Sequence, residues 1–209
     1  MLYDKFVSDT RNLEYGFKPW YDPQLMQSES KVFSAEMYWI SNDKLLSFDI
    51  RSHGSTEIFN IISQKFLDLL VDFSVQIKEI KPLKMVNSKN ESITKTDYFV
   101  IRFRRDVFVD RKDAFDESSE IEWDEFNRRF AIIKPRIKSS LSKDFFKISN
   151  VDIAQNPIFC SDKFFRSAAD KKLIGVDFMC LDDIRWGADS DENFLDFLSD
   201  SAEPLLFIN

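Results

Sequence analysis

Ile58-Phe59-Asn60-Ile61-Ile62-Ser63-Gln64-Lys65-Phe66 is echoed later in the chain by Ile158-Phe159-Cys160-Ser161-Asp162-Lys163-Phe164. Each stretch is an apolar run closed by Ser-x-Lys-Phe. In each, the serine can cap a helix through its side-chain oxygen. After Ser63, the residues Phe66, Leu69, Leu70 and Phe73 fall on one helical face. After Ser161, Asp162 sits in the first turn, where negative charge suits the helix dipole. Phe164, Phe165 and Ala168 then give the apolar face. A strand should follow each helix: Val75 to Ile80 in the first unit, and Val176 to Cys180, entered through Gly175, in the second. Two similar strand–helix–strand units are therefore expected.

Working outward, Asp97 to Arg105 is the clearest strand. Its inner part is apolar on both faces, which suits a central position. Phe130 to Ile133 and Phe145 to Ile148 read as further strands. Residues 36–41 and 45–50 flank the turn-forming Ser41-Asn42-Asp43-Lys44, so a hairpin is expected there. Residues 1–35 read as irregular structure, and Asp113 to Asn127 as a charged loop or short helix. Asp191 to Leu198 reads as a short amphipathic helix. Strands outnumber helices, so the fold class is α+β, with a mixed, mostly antiparallel sheet. The expected organisation is an N-terminal segment and hairpin (1–50) packed on a body (51–209), as one globular unit.

The chain has 209 residues, enough to bury a substantial core. Its 22 phenylalanines are read as core, since large aromatics bury much area each. No run approaches the ~20 apolar residues of a membrane helix. Met1 to Phe6 lacks a basic start and an apolar core, so no signal peptide is expected. Cys160 and Cys180 are too few for a disulfide framework, and a cytoplasmic location is expected.

The four glycines are scattered, which excludes the common phosphate-cradling loops. The single histidine, His53, lies in Arg51-Ser52-His53-Gly54-Ser55, which reads as a surface turn. The cysteines and His53 have no zinc spacing, and the calcium-loop pattern is unmatched. No catalytic residue, cofactor or metal site is therefore expected. Arg102-Phe103-Arg104-Arg105 is followed by Asp106, Asp110 and Asp113, so ion pairing is favoured over nucleic-acid binding.

The net charge is −7, and residues 177–209 carry nine acids against one arginine. That end is unsuited to phosphate and suited to a basic protein. Asp182, Asp183, Arg185, Trp186, Asp189, Asp191 and Glu192 combine clustered acids with Trp and Arg, residues favoured as interface anchors.

Four features together resemble bacterial polymorphic-toxin immunity proteins, specifically immunity families eleven and forty-three. They are Ser63 to Phe66, the strand Tyr98-Phe99-Val100-Ile101, the segment Asp113-Ala114-Phe115-Asp116-Glu117-Ser118-Ser119, and Ile158 to Ser161 continuing to Gly175-Val176-Asp177-Phe178. The N-terminal 50 residues diverge from the pattern, and Phe115 stands where Trp is usual. The resemblance implies a non-enzymatic protein that binds a cognate toxin or effector of the Rhs or type VI secretion kind and occludes it. A basic nuclease is one toxin class the acidic end would suit. An adaptor or chaperone for a secreted effector is the alternative.

Overall fold

The computed structural model describes residues 2–5, 17–19, 33, 36–41, 45–52, 59–87, 89–124, 129–149, 158–181 and 203–208. Two sheets dominate. The larger is built from β1 (Leu2–Lys5), β2 (Phe17–Pro19), β3 (Met37–Ile40), β4 (Ile50–Ser52), β5 (Asn60–Ser63), β6 (Ile77–Val86) and β7 (Tyr98–Phe103). Its order is β2-β1-β3-β6-β7-β5-β4, and only the β3–β6 pairing is parallel. The smaller is built from β8 (Phe108–Asp110), β11 (Phe145–Ser149), β12 (Ile158–Ser161), β13 (Val176–Cys180) and β14 (Glu203–Ile208). Its order is β13-β14-β12-β11-β8, and only β11–β12 is antiparallel. A separate hairpin joins β9 (Glu120–Asp124) to β10 (Arg129–Lys134). The helices are α1 (Gln64–Asp72), α2 (Arg111–Ala114) and α3 (Asp162–Asp170), so the class is α+β.

The central strands β5 and β7 of the larger sheet, and β11 and β12 of the smaller, are buried on both faces, which explains their unbroken apolar runs, whereas β6 alternates buried or half-buried residues with exposed ones. In β5 and β7, Ile61 and Val100 face one apolar cluster with Phe59, Met37 and Trp39. Their neighbours Ile62 and Ile101 face a second cluster with Phe66, Leu69 and Leu70 of α1. That second cluster also takes Phe145, Cys160, Phe164 and Ala168, so α1 and α3 share one layer between the sheets. On the far side of the smaller sheet, Phe146, Ile148 and Phe159 join Phe115 and Leu181 in a third cluster. Phe59, Phe66, Phe145, Phe146, Phe159 and Phe164 all lie in these layers, in keeping with phenylalanine as the main core residue.

Several segments differ from the sequence reading. Residues 36–41 and 45–50 do not form a hairpin. Both sides of β3 are taken, by β1 and β6. The 45–50 backbone bonds elsewhere: Leu46 N–H donates to Ile93 O and Asp49 N–H to Ile174 O. The N-terminal 35 residues contribute two strands, β1 and β2, rather than irregular structure alone. Within 113–127 the acidic run is a strand, β9, held by pairing with β10. β14 has a ladder on both sides although it contains Pro204, a residue usually kept out of central strands. The expected helix at 191–198 lies outside the described residues.

Candidate functional site

A buried polar cluster surrounds Asp49, which is 4% exposed. Ser63 caps α1: its Oγ accepts from Phe66 N–H at 3.2 Å. The same Oγ donates to Asp49 Oδ1 at 2.5 Å. Asp49 Oδ2 accepts from Lys65 Nζ at 3.0 Å and from Ile174 N–H at 2.6 Å. The Lys65 ammonium also donates to Lys172 O at 3.2 Å. Tyr98 fixes the preceding residue, donating to Phe48 O at 2.7 Å and accepting from Phe48 N–H at 3.1 Å. Burial pushes the Tyr98 phenol above its ordinary value.

The second capping serine has the same surroundings. Ser161 Oγ accepts from Phe164 N–H at 3.2 Å and donates to Asp144 Oδ1 at 2.6 Å. In both places the serine N–H also donates to the aspartate carbonyl. Asp49 directly precedes β4 and Asp144 directly precedes β11, and each following strand pairs antiparallel with the strand that ends in the serine. The aspartates were not singled out from sequence. The signal was present, since Ser47-Phe48-Asp49 and Ser142-Lys143-Asp144 share a Ser-x-Asp spacing. What differs is the second oxygen of Asp49, which reaches across to the loop after α3.

An Asp–Ser–Lys cluster invites a nucleophile reading, and its burial argues against one. Ser63 is 1% exposed, and its oxygen already donates one bond and accepts another. No substrate atom could approach it. The cluster ties the first unit to the second instead. Gly175 completes the contact: its φ is +72°, and a Cβ there would lie 3.0 Å from Phe48 Cβ.

Other chemistry-bearing residues are also structural. Cys160 is fully buried, and desolvation, aided by the Asp144 and Asp162 carboxylates, pushes its thiol far up. It is a core thiol rather than a nucleophile. Arg102 is buried, 3.6 Å from Glu79 and stacked over Phe33. Arg104 pairs with Asp106 on the surface. The basic run is thus partly core and partly ion-paired. Among the described residues, no three His, Cys, Asp or Glu side chains converge as a metal site, and no helix is long and apolar enough to cross a membrane. One open groove, about 640 Å³, runs between β6 and the 90–97 segment, with Tyr38, Lys84, Thr94 and Thr96 on its walls.

The expected binding residues Asp182, Asp183, Arg185, Trp186, Asp189, Asp191 and Glu192 lie outside the described residues, as does His53. The described segment that leads to them stops at Leu181, which is buried in the third cluster. Ile121 of β9 and Ile137 pack against that same cluster. The residue that precedes the acidic stretch 182–192 and the acidic segment 113–125, remote in sequence, therefore share one apolar root.

No curated protein matches the chain. The family model described as Immunity protein 43 matches residues 5–187, spanning both serine-capped units and the acidic segment between them. Of the two families resembled, this is the one found, and the chain belongs to the Immunity protein 43 family.

Proposed function

We propose that this protein neutralises a cognate bacterial toxin by stoichiometric binding in the cytoplasm, without catalysis. The family match over residues 5–187 is the observation that carries this reading. The cores support it: the Ser63 hydroxyl and the Cys160 thiol are buried and held in place, as in a rigid binding scaffold. Such inhibitors use interfaces of about 1,600 Å² and bind with little backbone change. The toxin belongs to a secreted system of the Rhs or type VI kind. The acidic segment from Asp182 to Glu192 contributes to the contact, and a basic nuclease is the toxin class it suits best.

The test is growth rescue. A toxin domain recovered with the tagged protein from its native cell is expressed in a sensitive host with and without this protein. Rescue through a 1:1 complex isolable by gel filtration is expected. Arrested growth with both proteins soluble would sink the reading, and a stable complex without rescue would assign an adaptor instead.

A further inference from the structure

The β9–β10 hairpin stands apart from the rest of the architecture. It forms its own two-stranded sheet, hydrogen-bonded to neither larger sheet among the described residues. Its base is firmly held. Phe115 bridges to Ile137, Asp116 N–H donates to Arg136 O, and Ser119 Oγ bonds both the N–H and the carbonyl of Arg136. Ile121 seats on the third cluster. Trp123 lies two residues further along the same strand face, yet it is 51% exposed. An apolar face that begins in the core thus continues outward into solvent, ending on the largest side chain available.

Charge states what kind of surface would cover it. Residues 113–125 contain seven acids and no base. Residues 128–138 answer with five bases, Arg128, Arg129, Lys134, Arg136 and Lys138, of which the last two act on Asp116 at the base, so the acidic excess lies further out, where residues 117–125 carry five acids against Arg128, Arg129 and Lys134. Asp113, Glu117 and Glu120 are exposed, and Glu120 meets Lys134 only at 3.9 Å. A second copy of this acidic chain would be repelled, whereas a basic cleft with an apolar floor would be matched in both respects.

We propose that the β9–β10 hairpin, with Trp123 as its anchor, is the finger this protein inserts into a basic cleft of its toxin. The inference rests on the immunity reading and names the surface that performs it. A firmly held base with one half-exposed tryptophan is the arrangement in which a single side chain dominates binding. The acids around it set the encounter rate.

The experiment uses the full chain and the toxin domain recovered with it from its native cell. Trp123→Ala and the double variant Glu117→Lys/Glu120→Lys are compared with wild type by biolayer interferometry and by growth rescue. Circular dichroism of each variant serves as the folding control. Trp123→Ala is expected to raise Kd at least about 30-fold through faster dissociation. The double variant should slow association about tenfold at low salt, and the difference should fade at about 0.5 M salt. Its exposed sites keep the test valid even if Trp123→Ala fails to fold. Wild-type affinity and rescue in both variants would overturn the proposal and leave the immunity reading standing. A wild-type protein that neither binds nor rescues would overturn both. Loss of self-association in Trp123→Ala, with toxin binding intact, would assign the hairpin to a second copy and overturn the proposal.

Discussion

Removing the Asp49 carboxylate should cost more than removing its counterpart Asp144, and the difference measures how the two units are joined. In Asp49→Ala, Ser63 Oγ loses its acceptor at 2.5 Å and the Ile174 N–H loses one at 2.6 Å. A donor left unsatisfied in a buried setting costs about 1–3 kcal/mol. Lys65 adds less than about 1 kcal/mol, because its side chain is 39% exposed and water replaces the lost partner. Removing a buried charge returns part of its desolvation cost, which pulls the sum towards ~2–4 kcal/mol. Asp144→Ala strands only Ser161 Oγ, in a partly buried site, at about 1–2 kcal/mol. Asp49→Asn should cost less than Asp49→Ala, about 1–2 kcal/mol, because its carbonyl still accepts from Ile174 N–H while an amide donating to Ser63 Oγ leaves only the Ser63 hydroxyl proton without its acceptor. Equilibrium urea unfolding, followed by tryptophan fluorescence and circular dichroism, reads all three, provided the slope with denaturant is unchanged. Equal losses for Asp49→Ala and Asp144→Ala would refute the bridging role. So would a loss below ~1 kcal/mol for Asp49→Ala.

Gly175→Ala combines a left-handed backbone with a Cβ 3.0 Å from Phe48 Cβ, and should destabilise by about 1–3 kcal/mol, read as a lower Tm. Phe164 is fully buried against Phe73 and Phe145, with ring centroids 4.9 and 5.2 Å away. Phe164→Ala should therefore cost about 3–5 kcal/mol in the same urea titration, whereas truncating the exposed Val71 should stay within about 0.5 kcal/mol. Cys160 gives a pH prediction. Its thiol ionises near its ordinary value of 9.0 once unfolded but is held protonated in the core. Above that pH the unfolded chain binds fewer protons than the folded one, so stability falls as pH rises. Cys160→Ala should flatten the fall between about pH 9 and 10, and iodoacetamide should label Cys160 only in denaturant, as read by mass spectrometry.

The sequence alone determined the local elements. Ser63 and Ser161 cap α1 and α3, and the apolar faces of those helices are the ones buried. Tyr98 to Phe103 is a central strand because no polar residue interrupts the alternation that buries both its faces until Arg102, which finds Glu79 and Phe33. These features depend on residues a few positions apart, where side-chain chemistry and backbone geometry fix the outcome. Pairing partners were decided elsewhere. The 45–50 segment had the composition of a hairpin arm, but its donors went to Ile93 and Ile174, partners 47 and 125 residues away. The run Glu120 to Asp124 alternates acid with Ile and Trp, and it became a strand only when β10 supplied its ladder. The role of Asp49 was equally hidden, because a carboxylate gains its meaning from the donors that surround it, and one of them is the backbone of Ile174. Short-range periodicity therefore wrote the helices and the strand faces. Long-range hydrogen bonding, which satisfies backbone groups wherever the chain collapses, decided how the two serine-capped units meet and placed the half-exposed Trp123 on the separate β9–β10 sheet.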